Sequence, residues 1–290
     1  MKRTAYVAST ALLMSLAWFG CSGDSATEPS RLPFADRLRV PEDFLTIQEA
    51  IDSASGGAVI EVGPGIYSGA GNNDLRLQGK SIHLISVDGP ANAIIECYGE
   101  PEYHRRGFYF SEGEGSATVI EGFTVRGGYQ KSGAAVFCIN SSPKFRNCVF
   151  VRNTATVSGG AVRCKNSSPT FINCTFVNNS APAGGAVFCI ATSSPQLVNC
   201  IVAYSRDGSA FYASDASCRP ALYCTDVFGN VGGDWYSIPN LSISNGNLNE
   251  PPQFCDLDGE NFGLKQGSVC HPGNNACGEL IGANLPDCAK

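Results

Sequence analysis

Charge is the first shortage in this chain. Asp, Glu, Lys and Arg make up only 16% of its 290 residues, against roughly 25% in an average soluble protein. Long surface helices carry charge on their outer face, so the deficit argues against a helical protein and for an all-β one. Cationic charge is scarcer than anionic, with 20 Lys and Arg against 26 Asp and Glu and a net charge of −6. That balance excludes nucleic acid as a partner, because gripping its backbone needs a basic surface that releases counterions. The apolar run from Ala5 to Phe19 is shorter than the roughly 20 residues a membrane-spanning helix needs. No phosphate-cradling glycine loop, paired-histidine metal helix or serine elbow occurs.

Acids vanish altogether between Lys131 and Arg206, a span that holds seven Lys and Arg. Glycoside hydrolysis usually needs two facing carboxylates, so such a pair has to come from outside this span. Glu96, Glu100, Glu102, Glu112, Glu114 and Glu121 precede it, and Asp207, Asp215, Asp226 and Asp234 follow it. Glu121 and Asp226 read as equivalent positions four coils apart, roughly 19 Å at one strand spacing per coil, too far for one glycosidic bond. Asp215 and Asp226 share a coil but read as lying on different faces.

What is abundant is glycine, 33 residues, and cysteine, 14. Much of the cysteine is periodic. Cys138, Cys164 and Cys189 lie 26 and 25 residues apart, and Cys148, Cys174 and Cys200 lie 26 and 26 apart. Asn147, Asn173 and Asn199 keep the same step, as do Phe145, Phe171 and Leu197. Ile95, Ile120, Leu222 and Val227 extend the pattern outward in steps of 25. A period of this size signals a solenoid whose units cannot close a core alone. Segments such as "AVFC" and "PTFINCTF" alternate with period two, which means strands. The Cys columns fill the core as small apolar groups, the Asn columns pair their amides at turns, and Gly-Gly supplies the corners. "DFLTIQEAIDSA" places Phe44, Ile47 and Ile51 on one helical face, a cap over the first coil. Phe262 and Leu264 read as a last strand.

The N-terminus reads as an export signal over residues 1–20, with Lys2 and Arg3 before the apolar run. Gly20–Cys21 resembles a bacterial lipobox, making Cys21 the lipidation site and the cell envelope or surface the location, with the membrane as partner through that lipid. Ordinary secretion with cleavage nearby is the alternative. Residues 21–38 read as a tether, 39–245 as the solenoid, and 246–290 as a final coil with a disulfide-stapled cap. Each Cys column holds three residues, so complete pairing is impossible and buried thiols are expected there. Disulfides are expected among Cys255, Cys270, Cys277 and Cys288. A zinc site from Cys270, His271, Cys277 and Cys288 lacks a strong zinc spacing.

"VPEDFLTIQEAIDSASGGAVIEVGPGIY", with the "GGAV", "FVRN" and "FVNN" repeats, resembles right-handed parallel β-helix proteins of the pectin-lyase-like superfamily. The repeats are similar to those of polymorphic outer-membrane proteins. The resemblance implies a single-stranded right-handed parallel β-helix with coils of about 25 residues and a short N-terminal capping helix. It leaves function open, because the superfamily includes lyases, hydrolases, esterases, epimerases and adhesins. A lyase would bring calcium beside a basic residue.

Two sets of residues are candidates for chemistry. "EPEYHRRG" gathers Glu102, His104, Arg105 and Arg106, a possible acid–base cluster or a solvated loop. The residues before the core cysteines and their equivalents, Tyr109, Phe137, Arg163, Phe188 and Tyr212, should stand outward in one line. Such a line either binds the rings of a polysaccharide or cell-surface glycan, or ties coils together. The expected function is glycan binding by an adhesin-type surface protein; the alternative is a polysaccharide lyase or glycoside hydrolase.

Overall fold

The computed structural model describes residues 37–241 and 244–288. Cys21 and the export signal lie outside them. The chain forms a parallel β-solenoid of about 7 turns with about 26 residues per turn. Its three large parallel sheets have eight, seven and five strands, called here sheets 1, 2 and 3. In the coil that begins at Val136, Val136–Ile139 lies in sheet 3, Lys144–Arg146 in sheet 1 and Val149–Val151 in sheet 2.

The repeat sets the register. Phe145 pairs with Phe171, Phe150 with Phe176, and Cys138 with Cys164, which pairs with Cys189. Stacked coils therefore superpose like side chains. The Phe145 and Phe171 rings stack at 5.0 Å and those of Phe150 and Phe176 at 4.8 Å, all buried. Such pairs add about 0.5–1.5 kcal/mol each beyond their buried area. The six column cysteines are buried free thiols. Cys148, Cys174 and Cys200 do more than fill space. Each sulfur sits 3.1–3.4 Å from the carbonyl two residues back, Arg146, Ile172 and Val198. Their neighbours Asn147, Asn173 and Asn199 hold φ near +50°, a left-handed turn that Asn tolerates better than most residues.

The Gly-Gly corners are steric necessities. Gly159 and Gly184 have φ of +64° and +66°. A Cβ on Gly160 would stand 2.1 Å from the Gly185 carbonyl oxygen of the next coil.

At the N-terminal end, strand Arg37–Val40 already pairs with Val59–Val62, so the solenoid begins inside the segment read as tether. The helix Ile47–Ser53 covers the first coil with Ile47, Ala50 and Ile51 buried. Thr46 and Glu49 close a capping box at its start, which satisfies two otherwise orphaned N–H groups. Phe44 precedes the helix and is only partly buried against the core.

Four sequence expectations need correction. Ile95 does not stand over Ile120: it pairs with Val125, and Ile120 with Leu84, because the 97–107 and 111–118 connections both lengthen that coil. Glu121 and Asp226 are not equivalent, since they belong to sheets 1 and 2. The Asn147 column does not pair its amides. Asn173 donates to the Leu280 carbonyl at 2.6 Å, and Asn147 Oδ1 accepts from Asn284 N–H at 2.6 Å. Amide pairing occurs instead between Asn153 and Asn179 (3.1 Å) and between Asn166 and Asn140 (2.7 Å).

The fourth concerns the C-terminus. Asn261–Leu264 is a strand, but it pairs antiparallel with Phe254–Asp256. Pro251 and Pro252 lack the N–H groups that another parallel rung would need, and the chain folds back onto the outer face of sheet 2. Phe254, Phe262, Leu264, Cys270 and Ile281 pack there on Val149, Val151, Val177, Ile201 and Ala203. Only Cys255–Cys288 joins two of the four cysteines expected to bridge. Cys277 pairs with Cys224, and Cys270 is a buried thiol. In that coil Cys224 takes the left-handed turn position that Asn holds elsewhere, so its sulfur faces the returning tail. Thr225 replaces the column cysteine and donates to the Tyr223 carbonyl at 3.1 Å.

Candidate functional site

The outward line on sheet 3 forms in the expected register. Tyr109 pairs with Phe137, Phe137 with Arg163, Arg163 with Phe188, and Phe188 with Tyr212. Alternation along each strand sends the adjacent Phe110, Cys138, Cys164 and Cys189 into the core, which leaves the line on the outside.

Guanidinium groups interleave with the rings. Arg163 lies 5.3 Å from the Phe137 ring centre and 5.4 Å from that of Phe188. Arg106 lies 5.3 Å from both Tyr109 and Phe137, and Arg76 sits 4.3 Å over Tyr109. Phe188 and Tyr212 stack at 5.5 Å, and Tyr109 meets Phe137 edge-on at 5.7 Å. The ladder covers itself: Phe188 keeps 8% of its surface.

Side-chain hydrogen bonds fix the cations. Arg163 Nη1 donates to the Ser132 hydroxyl at 2.6 Å and the Ser158 hydroxyl at 3.2 Å. Arg106 Nε is 3.4 Å from Asp74 Oδ1. Burial shifts both partners towards neutrality, raising the Asp74 carboxyl and lowering the Arg106 guanidinium. Burial also lowers Arg163. Arg106 Nη1 and Arg163 Nε are buried without a hydrogen-bond partner. Three guanidiniums thus share the ladder with one carboxylate.

The "EPEYHRRG" residues do not converge. Glu100 and Tyr103 bridge each other through their backbones at 3.0 Å, and Arg105 pairs its backbone with that of Tyr129. The His104 ring lies 5.7 Å from that of Tyr129. Glu102 points into solvent and Arg106 turns into the ladder. The loop extends the ladder rather than forming an acid–base cluster. Asp215 and Asp226 are likewise apart: Asp215 is exposed and accepts from Ser217 N–H at 2.8 Å, while Asp226 is buried under the returning C-terminal segment.

Sequence reading missed Arg76 and Asp74, which lie in an irregular coil without a repeat signal. It also missed His83, whose Nε2 is 3.0 Å from Glu121 Oε2 on sheet 1. Among the described residues, no group of three or more His, Cys, Asp or Glu side chains is arranged to hold a metal ion.

A family model described as "Right handed beta helix region" matches residues 64–225, more than half of the chain. No curated protein matches the sequence.

Proposed function

The chain belongs to the right-handed β-helix family, and on that premise we propose that it is a glycan-binding surface protein. The fold itself fits a surface or carbohydrate-related protein at a general level. One observation carries the finer reading: the Arg76–Tyr109–Arg106–Phe137–Arg163–Phe188–Tyr212 ladder runs unbroken across five coils of sheet 3. The outward edges of the stacked rings offer an apolar rail to a sugar chain, and guanidiniums attract carboxylate or sulfate groups. With three cations to one carboxylate, the ladder suits an acidic polysaccharide.

Location follows the N-terminal pattern. In this reading Cys21 carries a lipid that holds the protein on a bacterial envelope membrane, and the ladder faces the glycans around it. Mass spectrometry of Cys21 in the wild type and in Cys21→Ser tests the anchor.

The test of binding uses the chain from Ser22 onward with polygalacturonate, alginate and neutral dextran. Retention on the acidic polymers, weakened by salt and at least ~tenfold by Arg76→Ala with Arg163→Ala, is expected, with no new oligosaccharides in the mass spectrum. Soluble products would establish an enzyme instead. Equal retention on dextran would remove the ladder's role.

A further inference from the structure

A second concave feature lies on a different sheet. Where the C-terminal hairpin meets sheet 2 there is a cleft of about 450 Å³, within the size range of small-molecule sites. Its floor is the outward column of sheet 2, in which Ile66 pairs with Ile94, Ile94 with Thr124 and Thr124 with Val149. The hairpin and tail cover this column from Val149 onward, whereas Ile66 remains 59% exposed. The cleft thus opens over Ile94 and Thr124 and is closed at one end by Phe262, Leu285 and Pro286.

The polar groups of the cleft constrain its ligand. Arg126 bonds Glu96 through Nε and Glu260 through Nη1, the latter at 3.0 Å. Arg152 bonds Glu260 at 2.9 Å and the Asp258 carbonyl at 3.2 Å. Asp287 stands at the rim with a side chain 75% exposed. The charged lining of the cleft is Arg126, Glu260 and Asp287; Glu96 and Arg152 pair with Arg126 and Glu260 from beside it, and Asp287 lies 3.8 Å from His271, so its one guanidinium already has partners. An anionic ligand would find no unmatched cation. The charges also sit beside the apolar surfaces of Ile94, Val149 and Phe262.

We infer that this cleft binds the terminal residue of a neutral sugar chain. A pyranose presents an apolar C–H face to the floor, and its hydroxyls donate to carboxylates while accepting from the guanidinium. The blocked end admits a chain terminus and excludes a chain passing through. The cleft lies on sheet 2 and does not rest on the ladder of sheet 3, whose charge favours acidic glycans.

The experiment is saturation-transfer NMR of the chain from Ser22 onward with the methyl pyranosides of glucose, galactose and mannose, and galacturonate as the acidic counterpart. At least one neutral pyranoside should bind and galacturonate should not compete with it. Ala91→Trp places a bulky ring on the exposed rim and should weaken that binding at least ~tenfold. Asp287→Ala, at another exposed rim position, should weaken it to a smaller extent, and Arg163→Ala on sheet 3 should leave it unchanged. Circular-dichroism melts confirm that each variant is folded. Failure of all three neutral pyranosides, competition by galacturonate, or binding that survives Ala91→Trp in folded protein would overturn the inference. Loss with Arg163→Ala alone would overturn it too and move the sugar to the ladder.

Discussion

Asp226 offers the most quantitative test of the architecture. It is fully buried beneath the C-terminal segment, where its Oδ1 accepts from Glu250 N–H at 3.2 Å and its Oδ2 lies 3.5 Å from Cys270 Sγ. Burial is the main cause that pushes its carboxyl from the ordinary 3.8 to about 7, and nearby Asp234 and Glu250 push the same way. The folded state then holds a proton that the unfolded state gives up above pH 4. Because the native state binds more protons, stability must fall as pH rises from about 4 to about 7 and level off beyond. At about 1.36 kcal/mol for each tenfold change in proton affinity, the loss from this group between pH 4.5 and 7.5 is ~3 kcal/mol. Asp226→Asn removes the ionisation, so the variant should lose that much less stability over the same interval. Urea unfolding of both proteins at pH 4.5, 6 and 7.5 gives the comparison directly. Parallel pH profiles for the two proteins would refute the reasoning, because they would mean that Asp226 is solvated or ionised in the fold. Hydrogen exchange should place the effect at residues 251–286, which pack over this carboxyl.

Arg163→Ala should cost ~1–2 kcal/mol in urea unfolding, since it removes two cation–π contacts and the stem that covers Phe188; Arg163→Lys should not restore the loss, because an ammonium does not stack as a planar guanidinium does. Replacing both Cys224 and Cys277 by Ser opens a link with a sequence separation of 53, worth up to ~4 kcal/mol on loop entropy; its melt should no longer respond to loss of that bridge when reductant is added. Gly160→Ala should abolish soluble expression or cost more than ~3 kcal/mol, because its Cβ would strike the next coil's backbone; a wild-type melting curve would show that the corner has room.

The fold was legible because a solenoid writes its register into the sequence. A step of 25 or 26 residues at Cys138, Phe145, Cys148 and Phe150 states which side chains will stack, and the structure stacks them. The sheet 3 ladder was half legible for the same reason. Tyr109, Phe137, Arg163, Phe188 and Tyr212 follow from strand alternation, but Arg76 and Arg106 do not, since both come from segments outside the repeat. The Ile95 error has the same root: a period predicts register only while every coil has the same length. The fate of the C-terminus was hidden for another reason. Asn147, Asn173 and Asn199 look identical as letters whether their amides pair with each other or with a strap crossing them, and only the path of residues 280–284 decides between these.

That contrast locates the chemistry of the molecule. Stacking like on like is favourable for Phe, Cys and Asn but unfavourable for a charge, because identical charges one strand spacing apart repel. A regular solenoid therefore keeps like charges off adjacent rungs: Lys144 pairs with Val119 and Thr170, and Lys165 with Ile139 and Ile190. Arg163, on the ladder, lies between two rings and bonds two serines. Ion pairs gather where the period breaks: Asp74–Arg106 at the irregular coil, and Glu96–Arg126–Glu260–Arg152 where the hairpin folds back. Both proposed sites sit at such breaks, the ladder ending at the first and the cleft built by the second. Regular coils supply a rigid frame of fixed spacing, and the interruptions supply the polar groups through which a solenoid of this composition can recognise a ligand.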